Sequence, residues 1–275
     1  MKSIMKIDYN FLLRTIKICG GIARNSYFSD NKIKFEIKKD ASKVTEIDIE
    51  ISNFFKTEFA KKYPKIPFFS EEESEGFKDI VDQKTFFIVD PIDGTSSFIK
   101  KKPEFTINLT LVANEKLLCS FIYLPIQDIL YYANEGESYK IQLNKKIKLV
   151  NKNNNLLESY RVVATRRKNE LKNIKSTLQS NNIDCTYTSL SSALKFGILA
   201  EGKFDIYMRR ANIKLWDVIS GFHIAHNANF FVRDDKGNDM LEYITTKYHL
   251  KHISKDDFRI SEFIIQNSKE LKVIF

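Results

Sequence analysis

Phe86-Phe87-Ile88-Val89-Asp90-Pro91-Ile92-Asp93-Gly94-Thr95 begins as a buried strand and ends as a turn. The apolar run is compact and ends in two β-branched residues, which favours a strand interior. Pro91 lacks an N–H to donate to a ladder, so the strand is expected to stop at Asp90-Pro91. Gly94 permits a tight turn, and Thr95 would open the helical turn after it. Asp90 and Asp93 can then face one spot, with the carbonyl of Ile92 between them. Two carboxylates, a carbonyl and a hydroxyl within six residues form a hard-oxygen donor set suited to Mg²⁺. The same residues also make an ordinary Asp-Pro turn followed by an Asp-Gly turn, with Thr95 as a helix cap.

Three further acidic segments bear on that choice. Ser70-Glu71-Glu72-Glu73 follows the apolar pair Phe68-Phe69. Carboxylates this close repel one another unless a positive group sits among them; a solvated acidic loop is the alternative. Asp40 and Asp48 flank Val44-Thr45 at the start of a helix expected over residues 44–60, where charge at a helix N-terminus would also account for them. The only tryptophan, Trp216, precedes Asp217 at the start of another expected helix, with Gly221 four residues on. A carboxylate meeting the helix dipole is the alternative there.

Working outward, Phe11, Leu12, Thr15, Ile16, Cys19 and Ala23 recur at helical spacing over 10–28, and Val44 to Phe59 do so over 44–60. Phe105, Ile107, Leu109 and Leu111 alternate with Thr106, Asn108 and Thr110, as a strand does. Strands at Leu117–Leu124 and Ile129–Ala133 continue the antiparallel run. Residues 140–155 are rich in Lys and Asn and mark the expected boundary between a half at 1–150, with most of the acidic candidates, and a half at 151–275, with Asp217. In the second half strands (Tyr160–Ala164, 183–188, Phe204–Tyr207, Phe230–Val232) alternate with helices (168–180, Ser192–Ala200, Leu215–His226), and the last 35 or so residues read as helix plus strand. The whole is a mixed α/β (α+β) protein.

Composition narrows the function classes. Twenty-two Phe and 12 Tyr in 275 residues exclude a disordered chain. Cys19, Cys119 and Cys185 are odd in number and far apart, so neither a disulfide framework nor a cysteine metal site is expected, consistent with a reducing cytosol. Lys6, Asp8 and Arg14 break any apolar run at the N-terminus, and no run reaches the ~18 apolar residues of a membrane helix. Net charge is +9, which admits a nucleic acid, a phosphorylated small molecule, or neither. Lys145, Lys146, Lys148 and Lys152 fit a solvated sheet edge and linker better than a nucleic-acid surface. His223 and His226, like His249 and His252, are spaced i, i+3, but no Cys or carboxylate completes a zinc motif with them.

Taken in order, Ser70-Glu71-Glu72, then Asp90-Pro91-Ile92-Asp93-Gly94-Thr95, then Trp216-Asp217-x-x-x-Gly221 resembles the inositol monophosphatase superfamily of Mg²⁺-dependent, lithium-sensitive phosphatases. The resemblance runs from about Lys38 to Gly237 and implies a layered αβαβα architecture of the sugar-phosphatase kind. Within the superfamily, Lys39 to Asp48, Phe98-Ile99-Lys100, Glu104 to Asn108, Leu194-Lys195-Phe196 and Ala200-Glu201-Gly202 are similar to the bacterial 3′(2′),5′-bisphosphate nucleotidases. Tyr207 and Arg209 fit that group too, where inositol-specific members tend to carry Glu. Lys43, Ile47, Ser96-Ser97, Ser191, Met208 and Ala211-Asn212 depart from the group's pattern, and none of these removes a metal ligand.

The resemblance implies removal of the 3′-phosphate of adenosine 3′,5′-bisphosphate, giving AMP. Glu71, Asp90 and the Ile92 carbonyl would hold one Mg²⁺; Asp90, Asp93 and Asp217 a second; and a weaker third would lie near Glu71. Li⁺ would inhibit by taking the second position. Thr95, oriented by Asp48 and together with Glu71, would activate water. Asp93, Gly94, Thr95, Ser191, Ser192, Lys195, Arg209 and Asp217 would meet the substrate, with Arg166 and Arg167 as further options. It also implies a small phosphorylated substrate rather than nucleic acid, and a cytoplasmic protein, free or peripheral at the inner membrane; family members often form homodimers. An inositol monophosphatase is the alternative within the class. A non-catalytic RNA- or polymerase-binding regulator on the same fold is the alternative outside it.

Overall fold

The Asp8 carboxylate accepts the Phe11 N–H at 3.0 Å and caps helix α1 (Tyr9–Phe28). Beyond it a short hairpin, β1 (Phe35–Ile37) and β2 (Lys43–Thr45), leads into α2 (Glu46–Lys62). The helix expected from residue 44 therefore starts two residues later. Thr45 caps it through a reciprocal capping box with Asp48, so Val44 and Thr45 remain extended. Asp40 is not at a helix start but in the hairpin turn, where its carboxylate accepts the Ser42 N–H at 3.1 Å. The computed structural model describes residues 7–73, 83–114, 116–152, 155–211, 213–241, 259–260 and 262–275. Asn212, His249 and His252 lie outside them.

A seven-stranded sheet follows: β3 (Phe68–Ser70), β4 (Thr85–Asp93), β5 (Thr106–Ala113), β6 (Lys116–Leu124), β7 (Ile129–Asn134), β8 (Glu137–Gln142) and β9 (Lys145–Leu149), paired in chain order. A five-residue helix, α3 (Thr95–Ile99), joins β4 to β5. The first pair of the sheet is parallel and the rest antiparallel. Contrary to expectation, β4 does not end at Pro91. Its pairing with β5 shifts register between Asp90 and Asp93, and Pro91 falls in the irregular stretch, where no ladder N–H is required. Residues 140–149 are likewise not linker: they complete β8 and form β9, whose lysines lie on an exposed sheet edge.

The second sheet is built from β10 (Tyr160–Thr165), β11 (Cys185–Leu190), β12 (Ile206–Arg209), β14 (Phe231–Asp234) and β16 (Phe263–Gln266), in the order β11-β10-β12-β16-β14. Helices α4 (Lys168–Ser180), α5 (Leu194–Ala200) and α6 (Leu215–Asn227) connect them, and β13 (Ile213–Lys214) pairs with β15 (Arg259–Ile260). Strand β16, from the ambiguous C-terminal region, sits inside this sheet rather than at its edge.

Alternation along β4 sorts the core into layers. Phe87 and Val89 join Leu109, Leu111, Phe55 and Leu12 under α1 and α2. Phe86 and Ile88 face the other way, toward Phe196 and Phe222 of α5 and α6 and Val163 and Ile265 of the second sheet. Behind that sheet, Ile174 and Leu178 of α4 pack on Val162, Ile206 and Met208. The order is α1/α2, sheet, α5/α6, sheet, α4: the five-layer αβαβα arrangement. Gly221 permits the middle layer, because a Cβ there would overlap the Phe196 ring. No helix of the described residues is long and apolar enough to cross a membrane.

The middle layer also encloses a polar chain. Thr110 bonds Ser120 at 2.9 Å and Ser220 at 2.8 Å, Ser120 meets His223 Nδ1 at 2.9 Å, and Asn227 meets His223 Nε2 at 3.1 Å. Both ring nitrogens are engaged, so His223 and His226 do not form a metal pair. Burial pushes the His223 pKa down to about 3. Between pH 3 and about 6.5 the unfolded chain binds the proton that the folded one refuses. Stability from this group is thus complete above about 6.5 and falls by about 1.4 kcal/mol per pH unit below it. Urea unfolding of the parent and of His223→Gln at pH 4 to 7 is expected to show a steeper acid loss in the parent, and parallel curves would refute the assignment.

Candidate active site

Asp90 leaves β4 on the α6 side of the sheet, 1% exposed, with neither carboxylate oxygen hydrogen-bonded among the described residues. Glu71 reaches it from the single helical turn after β3, and Asp217 from the first turn of α6. Ligand atoms of these three lie within 4.8 Å of one another. At that distance and an effective dielectric of about 20, each like-charged pair repels by roughly 3 kcal/mol. Burial, then Glu71, Asp93 and Asp217, raises the Asp90 pKa far above its usual range. Asp217 is raised by burial and by Asp93 and Glu71. Asp93 is raised by burial too, opposed first by the Lys195 ammonium. Orphaned oxygens and mutual repulsion mark an all-oxygen cluster incomplete without a cation, and its hard donors suit Mg²⁺.

Gly94 makes the turn beside it. Its φ is +90°, and a Cβ would lie 3.0 Å from the Glu104 carbonyl oxygen and 3.2 Å from the Ser192 Cβ. Glycine therefore lets the Ser192 loop close on the Asp-Gly turn. The Thr95 hydroxyl donates to the Ile92 carbonyl at 3.0 Å and lies 3.5 Å from Asp48 Oδ1. The other Asp48 oxygen accepts the Thr45 N–H at 2.8 Å. Asp48 thus caps α2 and faces Thr95 at once. Burial raises its pKa to about 6, so it remains a carboxylate at neutral pH but a more basic one.

The positive partner that the glutamate run required is Lys38, from the hairpin turn. Its Nζ lies 3.2 Å from Glu71 Oε1 and 2.8 Å from Glu72 Oε2. Glu72, buried and beside Glu71, is raised to about 7. The sequence reading did not find Lys38 as that partner, because nothing local links it to residues 33 and 34 positions away.

Across a cavity of about 700 Å³ stand the basic and hydroxyl candidates. The cavity is within the size range of small-molecule sites. It is lined by Glu71, Asp90, Ile92, Asp93, Gly94, Thr95, Ser191, Ser192, Lys195, Arg209 and Asp217, so all of the expected site residues except Asp48 meet in it. Lys195 is not a solvated helix residue: it is 4% exposed, its ammonium donates to the Ser192 carbonyl, and burial lowers its pKa to about 8. Ser191 and Ser192 precede α5 rather than opening it, with Ser192 at φ +54°. Arg209 is on β12, 5% exposed, with its Nε on Glu170 of α4. Glu170 was missed, although a signal existed. It falls on the buried stripe of α4 with Ile174 and Leu178, where a carboxylate needs a partner. Arg166 pairs with Glu104 at 2.5 Å on the cavity rim.

The family described as "Inositol monophosphatase family" matches residues 7–271. The chain is 32% identical over 218 residues to the 3′(2′),5′-bisphosphate nucleotidase CysQ of Buchnera aphidicola, covering 78% of this chain and 79% of that one. It is 31% identical over 205 residues to the protein of the same name from Escherichia coli K12, covering 74% and 80%. Among solved structures, CysQ from Bacteroides thetaiotaomicron superposes with a TM-score of 0.72 at 23% identity, covering 96% of this chain and 98% of that one.

Proposed function

The chain belongs to the inositol monophosphatase family and is a phosphatase, and from this we propose that it hydrolyses the 3′-phosphate of adenosine 3′,5′-bisphosphate to give AMP and phosphate. Dependence on Mg²⁺ is general in the family, and the acidic cluster suits it. The observation that carries the reading is the Glu71–Asp90–Asp217 cluster, centred on buried Asp90, facing buried Lys195 and Arg209 across one cavity. One wall is suited to cations and the other to phosphate oxygens.

In this reading Glu71, Asp90 and the Ile92 carbonyl hold one ion, and Asp90, Asp93 and Asp217 a second. A third ion near Glu71 would have to displace Lys38. Bound Mg²⁺ supplies neutralisation of the phosphoryl oxygens, a more acidic attacking water and a stabilised leaving oxygen. The residues supply the rest. The Thr95 hydroxyl would turn from the Ile92 carbonyl toward Asp48 Oδ1 and relay the attacking water's proton, taking it on Oγ1 as its own hydroxyl proton goes to Asp48, which the raised pKa of Asp48 favours. Its other oxygen stays fixed by the Thr45 N–H, so the accepting oxygen is held in place. The Gly94 and Thr95 N–H groups at the turn are offered to a phosphoryl oxygen. Lys195 and Arg209, with Ser191 and Ser192, hold the second phosphate and the nucleoside. Residues 1–150 and 151–275 act as the two halves that bring these walls together.

Phosphate release from adenosine 3′,5′-bisphosphate and from inositol 1-phosphate, with Mg²⁺, with chelator and with Li⁺, tests the reading. The expected result is faster release from the bisphosphate, abolished by chelator and reduced by Li⁺. Preference for inositol 1-phosphate would assign the chain to the other branch of the family. Metal-dependent release from neither would favour a regulator on this fold.

A further inference from the structure

The polar residues of β5 do not face water. Thr106, Asn108 and Thr110 all lie on the α6 side and are at most 1% exposed. They differ in one respect. Thr110 is bonded on two sides, to Ser120 and Ser220. The Thr106 hydroxyl and both amide atoms of Asn108 have no hydrogen-bond partner among the described residues. A buried amide left unsatisfied costs ~1–3 kcal/mol, so a strand that satisfies Thr110 has reason to satisfy Asn108.

Register identifies what lies beside them. Asn108 is the cross-strand partner of Asp90, and Thr106 that of Asp93. Directly opposed residues of an antiparallel pair share a face, with Cβ atoms about 5 Å apart. The two unpartnered side chains of β5 therefore stand opposite the two carboxylates of the Asp-Pro-Ile-Asp segment, and both oxygens of Asp90 are unpartnered as well. Residue type fits that position. An amide donates to a carboxylate without adding charge, whereas another carboxylate would increase the repulsion and a lysine would compete with the cation.

Resting on the reading of the acidic cluster as a Mg²⁺ centre, we infer that Asn108 is a positioning residue for that centre. Its amide N–H groups hold the Asp90 and Asp93 carboxylates when they are ionised around the cation, and the Thr106 hydroxyl backs Asp93 from the adjacent position. Asn108 touches neither substrate nor cation. It acts through the two aspartates, as partners behind metal ligands commonly do.

Isothermal titration calorimetry with Mg²⁺ alone, without substrate, tests this on the full chain. Asn108→Leu, which keeps the number and branching of the side-chain atoms and removes the donor, is expected to weaken Mg²⁺ binding about 10–100-fold. Asn108→Ser, which returns a smaller donor, is expected to fall between that variant and the parent. In EDTA, where the unpartnered amide itself costs stability, the Asn108→Leu midpoint should not fall below the parent's, whereas a merely structural role would lower it. Parent-like Mg²⁺ affinity in Asn108→Leu overturns the inference, as does a loss of affinity that follows the midpoint in EDTA across both variants. If the parent binds Mg²⁺, Asp90→Asn does not, and Asn108→Leu binds as the parent does, only this inference falls. If the parent itself binds no Mg²⁺, the reading of the cluster falls with it.

Discussion

Asp90→Asn is expected to be more stable than the parent in EDTA and nearly inactive in Mg²⁺. The two effects have one cause. Asp90 is buried, has no hydrogen-bond partner among the described residues, and is crowded by Glu71, Asp93 and Asp217. Without a cation, ionising it costs repulsion of roughly 3 kcal/mol for each close pair. An amide of the same shape relieves part of that, and for a chain of this size the thermal midpoint should rise by about 2–4 °C per kcal/mol relieved. In EDTA the parent should also lose stability as pH rises above the usual Asp range. Its folded state binds the Asp90 proton more tightly than the unfolded state does, so folding is favoured only while that proton is on. Activity should move the other way. A metal centre supplies several kcal/mol of charge stabilisation, and each 1.4 kcal/mol is tenfold, so kcat should fall by about 10³ or more. Differential scanning fluorimetry in EDTA and in Mg²⁺, alongside phosphate release, reads both. A variant less stable than the parent in EDTA, or one within tenfold of its kcat, would remove Asp90 from the ligand set.

Arg209→Met is expected to cost ~3–5 kcal/mol of stability, because it leaves Glu170 charged and alone in the protein interior. Both partners of this pair are at most 6% exposed. The double variant Glu170→Leu/Arg209→Met should recover most of that loss, since apolar groups of similar volume often replace a buried pair at little cost. The proposed substrate role predicts that activity does not recover. Arg209 lines the cavity and lies near enough to Asp217 for each to stabilise the other's charge. A stable double variant with kcat/KM on the bisphosphate still about 10²-fold down, equivalent to about 2.7 kcal/mol, would assign Arg209 to substrate. Full recovery of activity with stability would make it a structural ion pair alone.

Much of this arrangement is legible along the chain because it is local. The apolar run into Asp90, the glycine after Asp93, the helix starting at Leu215 and the helix over 168–180 each follow from residues within a few positions. The departures also have local causes. Pro91 does not end β4 because the register shifts there, and Val44-Thr45 stays extended because Thr45 serves as the cap of α2. The alternation of β5 correctly indicates a strand. It does not indicate that the polar side lies beneath α6, more than 100 residues later.

What the chain determines by itself is which residues carry the chemistry: hard-oxygen donors at strand ends and helix starts, with glycine where the backbone must turn or approach closely. Pairing is decided only in three dimensions. Lys38 with Glu71, Asp48 with Thr95, Glu170 with Arg209 and Asn108 opposite Asp90 link elements whose neighbours are set by sheet register and by the packing of five layers. The physical reason is that a buried charge or amide must find a partner wherever burial puts it, and burial is a property of the whole core rather than of any segment.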